Sequence, residues 1–164
     1  MIDIRYNADP PANYLSNFAY HKFVVDDVKC NSMEGFLQSL KIEDTETQMA
    51  MCKMYGEKAK TKGQDGNNWK FYQRLWWKGK EISRGSQAYQ DLLTKAFDAL
   101  SLNTFFMKSL KATGEFKLFH QVGYDDPKLT VLTVNEFIGQ LTRIRDEKCL
   151  GKIHETNKES KSLF

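Results

Sequence analysis

Residues 31–41, Asn-Ser-Met-Glu-Gly-Phe-Leu-Gln-Ser-Leu-Lys, restrict the fold more than any other stretch of the chain. Asn31 followed three residues later by Glu34 has the form of a capping box and predicts a helix beginning there. Met33, Phe36, Leu37 and Leu40 then recur at i, i+3, i+4 and i+7, an apolar stripe that has to face a core. Glu34, Gln38 and Lys41 repeat the same spacing on a neighbouring stripe. An acid, an amide and an amine therefore stand in a row beside the buried face. Two readings fit: a solvated face with a weak charge pair, or a half-buried polar row lining a cleft.

The chain is 164 residues long, enough for one domain with a real core. No window approaches a membrane span and no signal-like apolar stretch opens the chain, so the expected location is cytoplasmic. Cys30, Cys52 and Cys149 are widely spaced and form no CxxC or Cys/His cluster, so neither a metal site nor a disulfide framework is expected. A net charge of +3 is too mild for a dedicated DNA-binding domain but suits an anionic ligand such as a phosphate ester. Residues 1–150 read as a single domain, and 151–164 as a charged tail that buries little.

Along the chain, Ile2 to Ile4 alternates as a short strand, and Asp9-Pro10-Pro11 is a break. Phe23–Val25 and Val28–Cys30 read as a hairpin about Asp26-Asp27. One helix is expected over Asp44–Lys62, stopped by Gly63, with a turn over Gln64–Asn68. Trp69 to Trp77 is apolar nearly all round, which predicts a buried segment. Lys78 to Ser86 reads as a basic, flexible insertion. Ser86 caps a helix carrying Tyr89, Leu92, Leu93, Ala96, Phe97 and Leu100, and another runs from Asn103 or Thr104 to Gly114. Phe116–Val122 alternates as a strand, and Leu129–Leu132 suggests a further one. Thr133 and Glu136 make a second capping box, for a last helix with Phe137, Leu141 and Ile144. The class is α+β, mostly α.

With this order on the page, the chain resembles the NADAR (YbiA-like) family of N-glycosidases, in a divergent, phage-type form. Leu15-Ser16-Asn17-Phe18 resembles the family's Leu-Ser-Asn-Phe loop. Ser32 to Lys41 resembles its Ser-x-Glu-x-x-x-Gln-x-x-Lys helix. Ala59-Lys60-x-x-Gly63 with Trp69 resembles its Ala-Lys-x-x-Gly…Trp segment, and Lys95-Ala96-Phe97 with Thr113-Gly114 its Lys-Phe…Thr-Gly segment. Arg145 falls where the family closes its final helix. The departures fall towards the other end: His120 stands where the family has an acid, and Asp125 is followed by Asp126-Pro127 instead of leading into Trp-Gly.

The resemblance implies cleavage of a C1′–N bond in a ribose-phosphate or ADP-ribose conjugate. Two activities are open: removal of ADP-ribose from guanine in nucleic acid, or hydrolysis of a ribosylamino-pyrimidine of riboflavin biosynthesis. The Lys78–Arg84 insertion leans towards the nucleic-acid substrate. Positive charge develops on the sugar, so a carboxylate is needed, and Glu34 is the first choice with Asp125 as a second. Lys41 and Lys60 are the amines, able to hold phosphate or to form a Schiff base. Asn17 and Gln38 are hydrogen-bond partners for base or ribose, and Phe18 and Trp69 are rings on which a base could stack. His120 reads as a packed core histidine. No cofactor or metal is implied. The alternative class is a non-catalytic ADP-ribose or nucleotide-binding module, and a third is an interaction protein using its aromatic surface.

Overall fold

The computed structural model describes residues 1–63 and 68–151. Of the expected turn at 64–68 and the expected tail at 151–164, residues 64–67 and 152–164 lie outside the described residues. Strand β1 (Ile2–Asp3) leads through a 3-10 turn (Ala12–Leu15) to the hairpin β2 (Phe23–Val25) and β3 (Val28–Cys30), as the alternation predicts. Asp26 and Asp27 both take positive φ, 48° and 65°, the turn geometry whose twist matches an antiparallel pair.

Helix α1 (Met33–Ser39) follows, but its cap is displaced by one residue from the expected box. Ser32 Oγ accepts from Gly35 N at 2.9 Å, while Asn31 turns away to donate from Nδ2 to Lys53 O at 2.9 Å. Met33, Phe36, Leu37 and Leu40 are all at most 2% exposed. Each contributes roughly 1.5–3 kcal/mol by burial. Intrinsic helix preferences differ by only about 0.7 kcal/mol per residue. Packing, not propensity, holds so short a helix.

The single helix expected over Asp44–Lys62 is two, α2 (Thr45–Cys52) and α3 (Gly56–Gly63). The carbonyls that would continue the first helix are taken by the chain entering α1. Cys52 O accepts from Asn31 N, Lys53 O from Asn31 Nδ2, and Met54 O from Ser32 Oγ. Gly56 then turns the chain at φ 65°. Gly35 lies against these same carbonyls, where a Cβ would come within 2.5 Å of Met54 O.

The expected buried segment at 69–77 is half right. A single turn, α4 (Trp69–Tyr72), ends at Gln73 with φ 52°, and its Phe71 is 82% exposed. Strand β4 (Arg74–Trp77) then runs inward, with Leu75, Trp76 and Trp77 buried. The basic stretch after it is not a loose insertion. Lys78 and Gly79, both at positive φ, join β4 to β5 (Lys80–Ser83) in a regular hairpin. Buried Gln48 ties this hairpin to the helices: Nε2 donates to Ser39 O and Trp76 O, and Oε1 accepts from Lys78 N.

Helices α5 (Gln87–Leu100) and α6 (Thr104–Ala112) start at Ser86 and Asn103 as expected. Strand β6 is only Leu118–Phe119 and pairs in parallel with the two residues of β1. Leu129–Leu132 forms no ladder, because side chains take its carbonyls: Arg84 Nε donates to Thr130 O and Tyr89 Oη to Val131 O. Helix α7 (Val134–Ile144) begins with the predicted Thr133–Glu136 capping box and runs into a π-helical turn at Arg145–Cys149. Among the described residues, no helix is long and apolar enough to cross a membrane.

Candidate active site

A cleft of about 700 Å³ opens beside α1. Its floor is Glu34, Leu37 and Gln38, so the first two members of the polar row line a concavity, while Lys41 does not. Glu34 is 8% exposed and Gln38 7%. Gln38 Nε2 donates to Glu34 Oε1 at 2.8 Å. Because the cap sits at Ser32, the Glu34 carboxylate is not drawn back to close a capping box. Its backbone N–H donates instead to Asn17 O at 2.9 Å, which holds the Ser16–Phe18 loop over the start of the helix. Burial raises the Glu34 carboxyl above its ordinary range; the Gln38 hydrogen bond and the charges of Lys41 and Lys60 oppose this without cancelling it.

Helix α3 supplies one wall. Ala59 is fully buried, which turns neighbouring Lys60 to the cleft. Gly63 lies directly on Gln38: a Cβ there would sit 2.1 Å from Oε1 and 2.6 Å from Gln38 Cβ. That oxygen is buried and has no hydrogen-bond partner among the described residues.

The opposite wall comes from the two ends of the fold. Pairing of β1 with β6 places Arg5 and Tyr6 beside His120. The His120 ring meets Ile4 O through Nδ1 at 2.6 Å and stands edge-on to Phe137. With the proton on Nδ1, Nε2 is the ring atom left for a ligand. Thr130, Val131 and Leu132 complete this side, held by a buried network. Arg84, 1% exposed, donates from Nη1 and Nη2 to the two carboxylate oxygens of Glu136, at 3.1 and 2.8 Å. Glu136 also accepts from Thr133 N and from Gln90 Nε2. Arg84, expected in a basic, flexible insertion, is instead an internal brace.

A family described as bacteriophage protein GP30.3 matches residues 9–146. This chain belongs to the GP30.3 family. It is 35% identical over 150 residues to an uncharacterized 17.1 kDa protein from the Gp30–rIII intergenic region of Enterobacteria phage T4, over 88% of this chain and 97% of that relative. The GP30.3-family chain is also similar to the NMR structure of the E. coli protein YbiA. The TM-score is 0.60 at 18% identity, covering 96% of this chain and 90% of that one. At that identity the likeness is one of fold. The chain is thus a divergent, phage-type member with the YbiA-like fold, α+β and mostly helical, as its motifs imply.

Within this GP30.3-family fold, Asn17, Phe18, Glu34, Gln38 and Lys60 come together on the cleft. Lys41 lies outside its lining, near enough for its charge and that of Glu34 to interact, with Nζ over the Trp69 ring at 5.8 Å. Burial lowers the Lys41 pKa, Glu34 opposes that and Lys70 adds to it. Trp69 is buried and does not line the cleft. Asp125 does not line it either; its Oδ1 accepts from Asn135 N at 2.9 Å, at the start of α7. Arg5, Tyr6, His120 and Thr130 were not singled out as site residues by the sequence. They sit on irregular segments, where no period marks which side chain faces a cleft.

Proposed function

We propose that the cleft is the active site of an N-glycosidase acting on a ribose-phosphate or ADP-ribose conjugate. The carrying observation is the buried Glu34 carboxyl, held by Gln38 in the floor of a cleft whose walls bear Lys60 and Arg5. Stretching the C1′–N bond leaves positive charge on the ribose ring. An anion fixed in a site poor in water stabilises that charge far better than one in bulk solvent. Its hydrogen bond to Gln38 limits the directions in which the carboxylate can point. As a base, the same group can take a proton from the water that adds at C1′. Lys60 and Arg5 are the cations for phosphate oxygens; Arg5 is already paired with Asp3 at 2.7 Å, so Lys60 carries the larger share. The departing nitrogen must gain a proton as the bond breaks, and His120 supplies it from Nε2 only when both of its ring nitrogens are protonated.

Direct hydrolysis is favoured over a lysine imine because Lys41, the amine whose pKa burial lowers, lies off the cleft lining against Trp69. The test is mass spectrometry after incubation with an ADP-ribosylated oligonucleotide and with the riboflavin-pathway ribosylamino-pyrimidine. Release of the free base from one of them by the wild type, and not by Glu34→Gln, is the expected result. A second reading, a nucleotide-binding module without turnover, is favoured by one observation: Glu34 is the only acid among the described lining residues. Saturable binding of ADP-ribose with no bond cleavage would select it.

A further inference from the structure

A second concavity, of about 430 Å³, adjoins the cleft, and Tyr6 and Phe18 line both. Beyond that shared wall it is formed by Tyr14, Tyr20, His21 and Phe105. Tyr14 meets Phe105 edge-on with ring centroids 4.9 Å apart, and His21 Nε2 lies 2.6 Å from Tyr14 O, which fixes the wall to the 3-10 turn. Tyr6 and Phe18 stack at 5.4 Å. Despite these contacts, Tyr6, Tyr14, Tyr20 and Phe105 stay 38–63% exposed.

Charge is divided between the two concavities. Lys60 and Arg5 line the cleft, whereas no lysine or arginine is among the described residues of the groove. The groove's polar side chains include Asn13, whose buried Oδ1 has no partner among the described residues, and Glu57. Ring faces with hydrogen-bond acceptors and no cation do not suit phosphate. They suit a flat neutral heterocycle bearing an amino group.

We propose that this groove holds a second nucleobase, joined through phosphate to the ribose in the cleft. The proposal rests on the reading of the cleft as a ribose-phosphate site. The base is either the distal one of an ADP-ribose group or the neighbour of the target in a single strand; the two share one ring chemistry.

The test pairs Tyr20→Ala with Phe105→Ala, both on half-exposed rings, and leaves Tyr6 and Phe18 intact. Ribose 5-phosphate, ADP-ribose and a short single-stranded oligonucleotide are titrated calorimetrically, and AMP by NMR on the tyrosine rings. Expected are at least tenfold tighter wild-type binding of ADP-ribose than of ribose 5-phosphate, loss of that margin in the variant with ribose 5-phosphate unchanged, and AMP shifts at the Tyr14 ring. The same margin with the oligonucleotide in place of ADP-ribose assigns the base to a strand. A variant that binds ADP-ribose as the wild type does, with no AMP-induced shift, overturns the groove while leaving the Glu34 test intact. Ring shifts by AMP without ribose 5-phosphate binding overturn the reading of the cleft instead.

Discussion

Gln38 donates from Nε2 to the carboxylate of Glu34 at 2.8 Å, one turn apart on α1, with both side chains more than nine-tenths buried. The amide hydrogen bond favours the charged form of the carboxyl against burial, and its own carbonyl oxygen has no partner among the described residues. Burying such a polar pair costs stability, and variants at both residues test whether that cost serves the proposed site.

Glu34→Gln should lower turnover about a hundredfold or more while the protein still folds. Its effect on stability has a definite sign. The folded-state pKa of Glu34 is raised above the ordinary 4.5, so its favourable contribution is complete below that value and is lost as pH rises through the raised one. The glutamine variant should therefore melt no lower than wild type at pH 7, and relatively lower at pH 4. Thermal unfolding at the two pH values checks this.

Gln38→Ala removes the hydrogen bond that favours the charged carboxylate. The acidic limb of the pH–rate profile should move to higher pH, with the maximum rate less affected than in Glu34→Gln. A profile whose limb stays in place would separate Gln38 from Glu34.

Gly63→Ala should cost about 1–3 kcal/mol, because its Cβ overlaps Gln38 and neither helix can yield without moving the site. Gly139→Ala is the matched control. It lies within α7, with nothing among the described residues within 4 Å of the added carbon. That change should stabilise by about 0.5–1 kcal/mol. Denaturant unfolding of both variants measures the contrast, and only Gly63→Ala should also reduce turnover.

Arg84→Ala leaves Glu136 facing a vacated buried site and should destabilise by about 3–5 kcal/mol. Glu136 itself gives the opposite pH dependence to Glu34. Burial alone would raise its pKa, but Arg84, Thr133 N and Gln90 together hold it below 4.5. The stability this pair confers is present above that value and is lost as pH falls through the lowered one. In wild type, acid unfolding should be steeper than in Arg84→Ala.

Lys60→Ala should raise KM tenfold or more with a smaller change in kcat, the mark of a contact to phosphate made before and during reaction. Borohydride added during turnover should trap no adduct at Lys41 or Lys60. A trapped lysine would replace direct hydrolysis with an imine route.

Local chemistry was enough for much of this protein. The apolar stripe of α1, the caps at Ser86, Asn103 and Thr133, and the aspartate turn of the first hairpin were all legible, since each depends on residues within one or two turns of each other. The Glu34–Gln38 row was legible too, as a spacing on one helix face. What could not be read was which side of that row meets a concavity. Arg84 shows why: its near neighbours Ser83, Gly85 and Ser86 are turn-forming, while its partner lies 52 residues away. The break between α2 and α3 shows the same, since the carbonyls that would extend the helix are claimed by Asn31 and Ser32. The cleft itself exists only because β1 closes on β6 and brings His120 beside Arg5 and Tyr6. Such contacts are set by long-range competition for hydrogen bonds and buried area, and no periodicity along the chain encodes them.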